Sequence, residues 1–312
     1  MSALQRIAAG GCILWLALAI AVAGSAGPLS LLDLLLLLGP LVIVPLGLDL
    51  ISRQPAGARF PMQQVITVHQ ATSAPIACAS FWFEPGALAG ALTVPWLVQS
   101  LAIAFWGASE LPAALRAAHR DVPALLMIAA RLFLPVGAAW FVLSRAGAAP
   151  PGIGEPFAEL TAVHFHFTGF AAPILLAQAA PWMGRWHMPQ AGALLSGIPV
   201  VATGFTLDLQ WVRLAGVILI AGSLISCAAR LLAAGPRKPA AAGILPALSA
   251  LCVLAGMPLA LVYAIRELTG PGWPAIPEMV RRHGVLNGLG FSLCGMPGWS
   301  LRPAPRDPSA GR

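Results

Sequence analysis

The run Leu29-Ser30-Leu31-Leu32-Asp33-Leu34-Leu35-Leu36-Leu37-Leu38-Gly39-Pro40-Leu41-Val42-Ile43-Val44-Pro45-Leu46-Gly47-Leu48-Asp49-Leu50 carries no charge between its two aspartates. A helix needs about 20 mainly apolar residues to cross the hydrocarbon core of a bilayer, and this run supplies them. The rest of the chain has the same character. Of its 312 residues, 58% are hydrophobic and 9% charged, with a mean hydropathy of +0.82. Soluble domains carry about 25% charged residues, so 11 acids and 18 bases cannot solvate a globule of this size. That excludes a soluble enzyme, a disordered tail protein and a nucleic-acid binder, despite a pI of about 10.1. The five cysteines all lie in apolar stretches with no C-x-x-C spacing, so neither a disulfide framework nor a zinc ribbon is indicated.

Ten stretches of similar character predict an all-α, polytopic transmembrane helix bundle. They lie near residues 7–25, 29–50, 64–83, 87–108, 122–144, 159–180, 191–208, 211–232, 244–264 and 280–299. Glu84-Pro85-Gly86 is the turn between the third and fourth. The tenth holds five glycines and is expected to be enclosed by other helices. Lys and Arg concentrate in cytoplasmic loops. With the N-terminus inside, twelve of the eighteen bases fall on the inner side and five on the outer, with Arg131 in a span. Both termini are therefore expected in the cytoplasm, residues 1–300 forming one transmembrane domain and 301–312 a disordered basic tail. A cleavable signal peptide over residues 1–26 is the rival reading of the first span. Trp182, Trp186, Trp211 and Trp273 flank spans as interfacial anchors do.

Charge at membrane depth is costly and marks function or paired structure. On the ten-span topology Asp33, Glu84, Glu159, Asp208 and His283 lie toward the external face. His164 and His166 are one to two turns deeper, and Arg131 lies near the midplane with a buried structural pair as its expected role. These groups predict an outward-opening polar pocket. In the sixth span His164 and His166 are two residues apart, so on an α-helix they point about 200° from each other and cannot both hold one ion. In the tenth, His283 and Asn287 are four apart and share a face, while Gly284 and Gly288 offer a close-packing seam. The bland reading of all four polar residues is hydrogen bonding between helices. His69, His119 and His187, near inner loops, are expected to be solvated. No metal or other cofactor is predicted; a metal held by His164 or His166 together with His283 is the alternative.

Ala162-Val163-His164-Phe165-His166-Phe167-Thr168-Gly169-Phe170, together with His283-Gly284 followed by Asn287, Gly290 and Phe291, resembles the YndJ-like family of bacterial multi-span membrane proteins. Val44-Pro45-Leu46-Gly47-Leu48 fits the same family. The resemblance implies a bacterial cytoplasmic-membrane protein and directs attention to His164, His166, His283 and Asn287, without supplying an activity.

The expected function is permease- or transporter-like. The candidate substrate or proton pathway is His164, His166, His283, Asn287, Glu159, Arg131, Asp33 and Glu84, and the partners are the lipid bilayer and a small solute. A membrane-embedded enzyme acting on a lipid or other apolar substrate with the same residues is one alternative. A non-catalytic sensor or assembly protein is the other.

Overall fold

The computed structural model describes residues 1–25, 27–54, 62–117, 121–150, 154–234 and 241–302. Arg59, Arg120, Arg237, Lys238, Arg306, Arg312, His119 and all but the start of the expected tail lie outside the described residues. Within them the chain is helical and contains no strand. Ten helical segments coincide with the ten apolar stretches: α1 (Ala3–Ala23), α2 (Leu31–Ser52), α3 (Gln63–Ala79), α4 (Ala87–Arg116), α5 (Val122–Ala146), α6 (Phe157–Gln178), α7 (His187–Thr206), α8 (Gln210–Ala234), α9 (Ala241–Thr269) and α10 (276–300). Among the described residues seven helices are long and apolar enough to cross a membrane: α1, α2, α4, α5, α6, α8 and α9. The remaining three fall outside that measure, α3 because it has only 17 residues. This is a helical membrane protein.

Local sequence sets several of the helix ends. Ser2 and Gln5 form a capping box for α1, and Ser30 and Asp33 do the same for α2. The Asp121 side chain accepts from Ala124 N–H at the start of α5. Gly147 closes α5 in the left-handed conformation (φ 62°), which favours glycine.

The stretch of leucines lies at the centre. Helix α2 is buried over its entire apolar window, as expected for a helix that is hydrophobic on every side. It is therefore α2, rather than the glycine-rich α10, that its neighbours enclose; most of α10 is only half-buried. Helix α1 lies antiparallel along α2. Ser2 Oγ donates to Asp49 Oδ1 (2.7 Å), Gly11 packs onto the Leu41 backbone, and Trp15 Nε1 donates to the Leu34 carbonyl (2.7 Å). Arg53 at the end of α2 pairs with Asp49 (2.7 Å) and donates to the carbonyls of Ser300 and Arg302 beyond α10.

At the opposite end Leu35 of α2 packs against Gly284 and Gly288 of α10. Farther along, Gly39 and Gly47 of α2 admit His166, Phe170 and Ile174 of α6. Helices α2, α6 and α10 thus run in the same direction, side by side, and the other helices pack around them.

These three helices also carry the irregular backbone. Residues Gly39–Ile43 of α2, Phe165–Ala171 of α6, and Val280–Gly284 and Leu286–Ser292 of α10 are π-helical. In α2 the cause is visible in the sequence. Pro45 offers no N–H to the preceding turn, and the Pro40 carbonyl accepts instead from Gln70 Nε2 of α3 (2.9 Å). Gln99 Nε2 of α4 in turn donates to Gln70 Oε1 (3.2 Å).

The α1–α2 contact makes a specific prediction. A Cβ on Gly11 would collide with the Leu41 carbonyl, whereas one on Gly10 meets nothing within 4 Å. Gly11→Leu is expected to destabilise the protein by about 1–3 kcal/mol through overpacking. Gly10→Leu should stay within about 0.5 kcal/mol of the parent. Thermal unfolding of the two variants in detergent checks this difference.

Candidate functional site

Asp33, Glu159, His164, His283 and Asn287 come together at one end of α2, α6 and α10. They form a carboxyl pair and, farther along, a histidine pair with Asn287 beside it. The first joins Asp33, in the first turn of α2, to Glu159, in the first turn of α6. Asp33, Glu155 and Arg145 are all close enough to act on Glu159 electrostatically. Asp33 Oδ2 also accepts from the Ser30 N–H (2.6 Å), so the helix cap holds one side of the pair in place. Glu159 Oε1 is buried without a hydrogen-bond partner. Arg145, at the end of α5, donates to the carbonyls of Ser80 (3.0 Å) and Phe83 (2.7 Å), and its guanidinium stacks on Phe81. It ties the α3–α4 turn to this end of the bundle.

The second pair lies about 7.5 Å farther along α6, at 1.5 Å per residue. His164 of α6 and His283 of α10 are close enough for the charge of one to act on the other. The Nδ1 of His164 bonds the Leu160 carbonyl (2.6 Å), and that of His283 bonds the Gly256 carbonyl of α9 (3.0 Å). A carbonyl oxygen only accepts, so His164 Nδ1 carries hydrogen, whereas His283 Nδ1 faces both the Gly256 carbonyl and Asn287 Nδ2 (3.3 Å). Neither Nε2 bonds any of the described residues. Asn287 Nδ2 donates to the His283 carbonyl (2.7 Å), which fixes the amide orientation and leaves its Oδ1 buried and unpartnered. His164 is exposed.

His166 is placed differently. It is fully buried, with Nδ1–H on the Ala162 carbonyl (2.8 Å) and Nε2 accepting from Trp96 Nε1–H of α4 (3.0 Å). Its ring stacks against Trp96 and sits where Gly39 of α2 and Gly137 of α5 leave room. Both ring nitrogens are satisfied, and the residue joins four helices. The expected divergence of His164 and His166 holds in this geometry, although the backbone turns π-helical immediately after His164.

Arg131 and Glu84 are not brought to this cluster. Arg131 pairs with Glu110 of α4 (2.5 Å), bonds the Met127 carbonyl and stacks on Trp106, whose Nε1 donates to Glu110 Oε1 (2.8 Å). Glu110 lies beyond residue 108, where the fourth apolar stretch ends in the sequence, because α4 continues to Arg116. Glu84 is exposed in its turn. Asp208 pairs with Arg213, which also reaches Glu267 of α9.

Two of the histidines expected to be solvated are not. His187 is buried against the Leu176 carbonyl (3.2 Å), and half-buried His69 bonds Gln99 Oε1 (3.0 Å). Two cavities, of about 30 and 230 Å³, are lined by other residues. Among the described residues no three His, Cys, Asp or Glu side chains are grouped to hold a metal ion.

The family model described as YndJ-like protein matches residues 34–291. The chain belongs to the YndJ-like family. The match runs from the first turn of α2 to the second π-helical stretch of α10, so it includes Glu159, His164, His283 and Asn287 and begins one residue after Asp33. Searches among curated proteins and solved structures returned no match.

Stability measurements separate the roles of these residues. Trp96→Phe leaves the buried His166 Nε2 without its donor and is expected to cost about 1–3 kcal/mol. His164→Ala, at an exposed position, should stay within about 0.5 kcal/mol. Glu110→Ala strands the buried Arg131 guanidinium and should cost about 3–5 kcal/mol. Replacing both partners, as Arg131→Met with Glu110→Leu, should recover most of that loss. Chemical or thermal unfolding in detergent reads all four.

Proposed function

We propose that this YndJ-like protein is a proton-coupled permease of the bacterial cytoplasmic membrane, with ten spans and both termini in the cytoplasm. The observation that carries this reading is the coincidence of charge with irregular backbone. The three parallel helices that bring Asp33, Glu159, His164, His283 and Asn287 together are the helices that contain π-helical stretches. Such stretches occur frequently at functional sites. Broken or distorted helices beside intramembrane charges are also how many transporters build a binding site.

The distribution of Lys and Arg supports the orientation, which places the paired residues at the external face. Carboxyl and histidine side chains at membrane depth are characteristic of proton relays. In this reading Asp33 and Glu159 meet the proton or solute first. His164, His283 and Asn287 form the next station inward, while His166 and the Arg131–Glu110 pair hold the scaffold.

Liposomes containing the purified protein, loaded with a pH-sensitive dye and given an imposed pH gradient, test the proposal. The protein is expected to dissipate the gradient. Glu159→Gln and His164→Ala should lower the rate by about tenfold or more, as loss of a proton-transfer group does, with unfolding temperatures unchanged for His164→Ala. A dissipation rate indifferent to both substitutions contradicts it.

A further inference from the structure

We propose that Arg185, Trp186 and Arg230 form a binding site for the headgroup of an anionic phospholipid in the cytoplasmic leaflet. The argument is separate from proton flux and rests on where two guanidinium groups are held. Arg185 and Trp186 belong to the turn Gly184–Trp186 that leads into α7, and Arg230 lies near the end of α8. The Cζ of Arg185 is 5.4 Å from the centroid of the Trp186 ring, and that of Arg230 is 5.2 Å from it. Both distances lie within cation–π range. One helical turn deeper, Gln190 Nε2 donates to Ser226 Oγ (2.9 Å) and Ser223 Oγ donates to the Gln190 carbonyl (2.8 Å). These bonds fix α7 against α8 and so hold Trp186 beside Arg230.

Two cations drawn to one ring repel each other, and no carboxylate of the neighbouring helices answers them. Between residues 160 and 266 the sequence contains a single acid, Asp208. It lies at the opposite end of α7 and α8, paired with Arg213 (2.6 Å). Among the described residues neither Arg185 nor Arg230 makes a hydrogen bond or an ion pair. Other arginines at the same end are committed, Arg53 to Asp49 (2.7 Å) and Arg302 to the Ala242 carbonyl (3.1 Å). Guanidinium groups match phosphate oxygens in a planar, bidentate geometry. Arg185 and Trp186 are exposed, and a tryptophan at a span end sits at headgroup level. Most of the apolar length of α8 is unburied, so acyl chains lie against the helix that carries Arg230. A lipid fills both the charged and the apolar part of this surface, whereas a free anion fills only the first. In the proposed orientation this end faces the cytoplasmic leaflet, where anionic lipids give the membrane its negative surface and basic pockets between helices hold their headgroups.

The test uses the full chain, purified in a non-ionic detergent and titrated with dioleoyl-phosphatidylglycerol or dioleoyl-phosphatidylcholine, with bound lipid counted by native mass spectrometry. The two lipids differ only in their headgroups. The first phosphatidylglycerol is expected to bind more than about tenfold more tightly than the first phosphatidylcholine, since each basic residue near an anionic surface contributes about fivefold. Arg185→Ala should weaken phosphatidylglycerol binding by about fivefold, and Arg185→Ala with Arg230→Ala should abolish the preference. Arg116→Ala, at an exposed arginine of α4 on the same side, should leave binding unchanged. Arg185 is exposed, so its variant decides the matter even if Arg230→Ala fails to fold. Equal binding of the two lipids, a preference that Arg185→Ala leaves intact, or displacement of the bound lipid by equimolar inorganic phosphate overturns the proposal. Because the readout is equilibrium binding of lipid, its failure is distinct from a failure of proton flux.

Discussion

The structure depends on one constraint: a helix surrounded entirely by other helices has no water to satisfy what its backbone leaves unpaired. Helix α2 is that helix. Its leucines need no partner except packing, but Gly39-Pro40 and Val44-Pro45 interrupt its hydrogen-bond ladder in the middle of the bundle. The Pro40 carbonyl is rescued by Gln70, and Gln70 is held in turn by Gln99. At the lower end Asp49 is satisfied by Ser2, Gln5 and Arg53. Pro40, Asp49 and Ser52 of α2 each recruit a partner from another helix, and the bundle is organised around those demands.

The same constraint explains why histidine serves two purposes here. His166 faces inward and meets Trp96, whose indole N–H would otherwise be orphaned; the two groups satisfy each other, and Gly39 and Gly137 provide the space. His164, two residues earlier, is exposed, and its Nε2 bonds none of the described residues. A sequence of alternating histidine and phenylalanine therefore encodes one structural and one accessible imidazole. The π-helical stretch that follows adds an extra residue to the turn and leaves several carbonyls outside the regular α-helical ladder.

Much of this was legible in the sequence. The scarcity of charge identified a membrane protein, and the ten apolar stretches correspond to the ten helical segments. Whether the sixth and tenth stretches meet was not legible in the sequence; in the structure Phe167 of α6 lies against Gly288 of α10. Other features were hidden for physical reasons. Glycine content pointed to α10 as the enclosed helix, but glycine reports close approach on one face, whereas burial on every face is reported by the unbroken leucines of α2. Glu110 lay past the assumed end of a span because hydropathy falls before a helix stops. His187 was assigned to water from its nearness to a loop, which cannot show that the Leu176 carbonyl waits opposite it. The π-helices have no sequence periodicity distinct enough to find, beyond the prolines of α2.

The central claim is that α6 and α10 bring His164 and His283 close together at an end of the bundle that, in the proposed orientation, faces the outside. Replacing the five native cysteines, introducing His164→Cys with His283→Cys, and treating intact cells with a membrane-impermeant bifunctional thiol reagent measures this directly. The account predicts an efficient intramolecular cross-link from the outside, and none in variants carrying only one of the two new cysteines. Failure of the pair to cross-link in a folded protein, or a cross-link formed only from the cytoplasmic side, would contradict it.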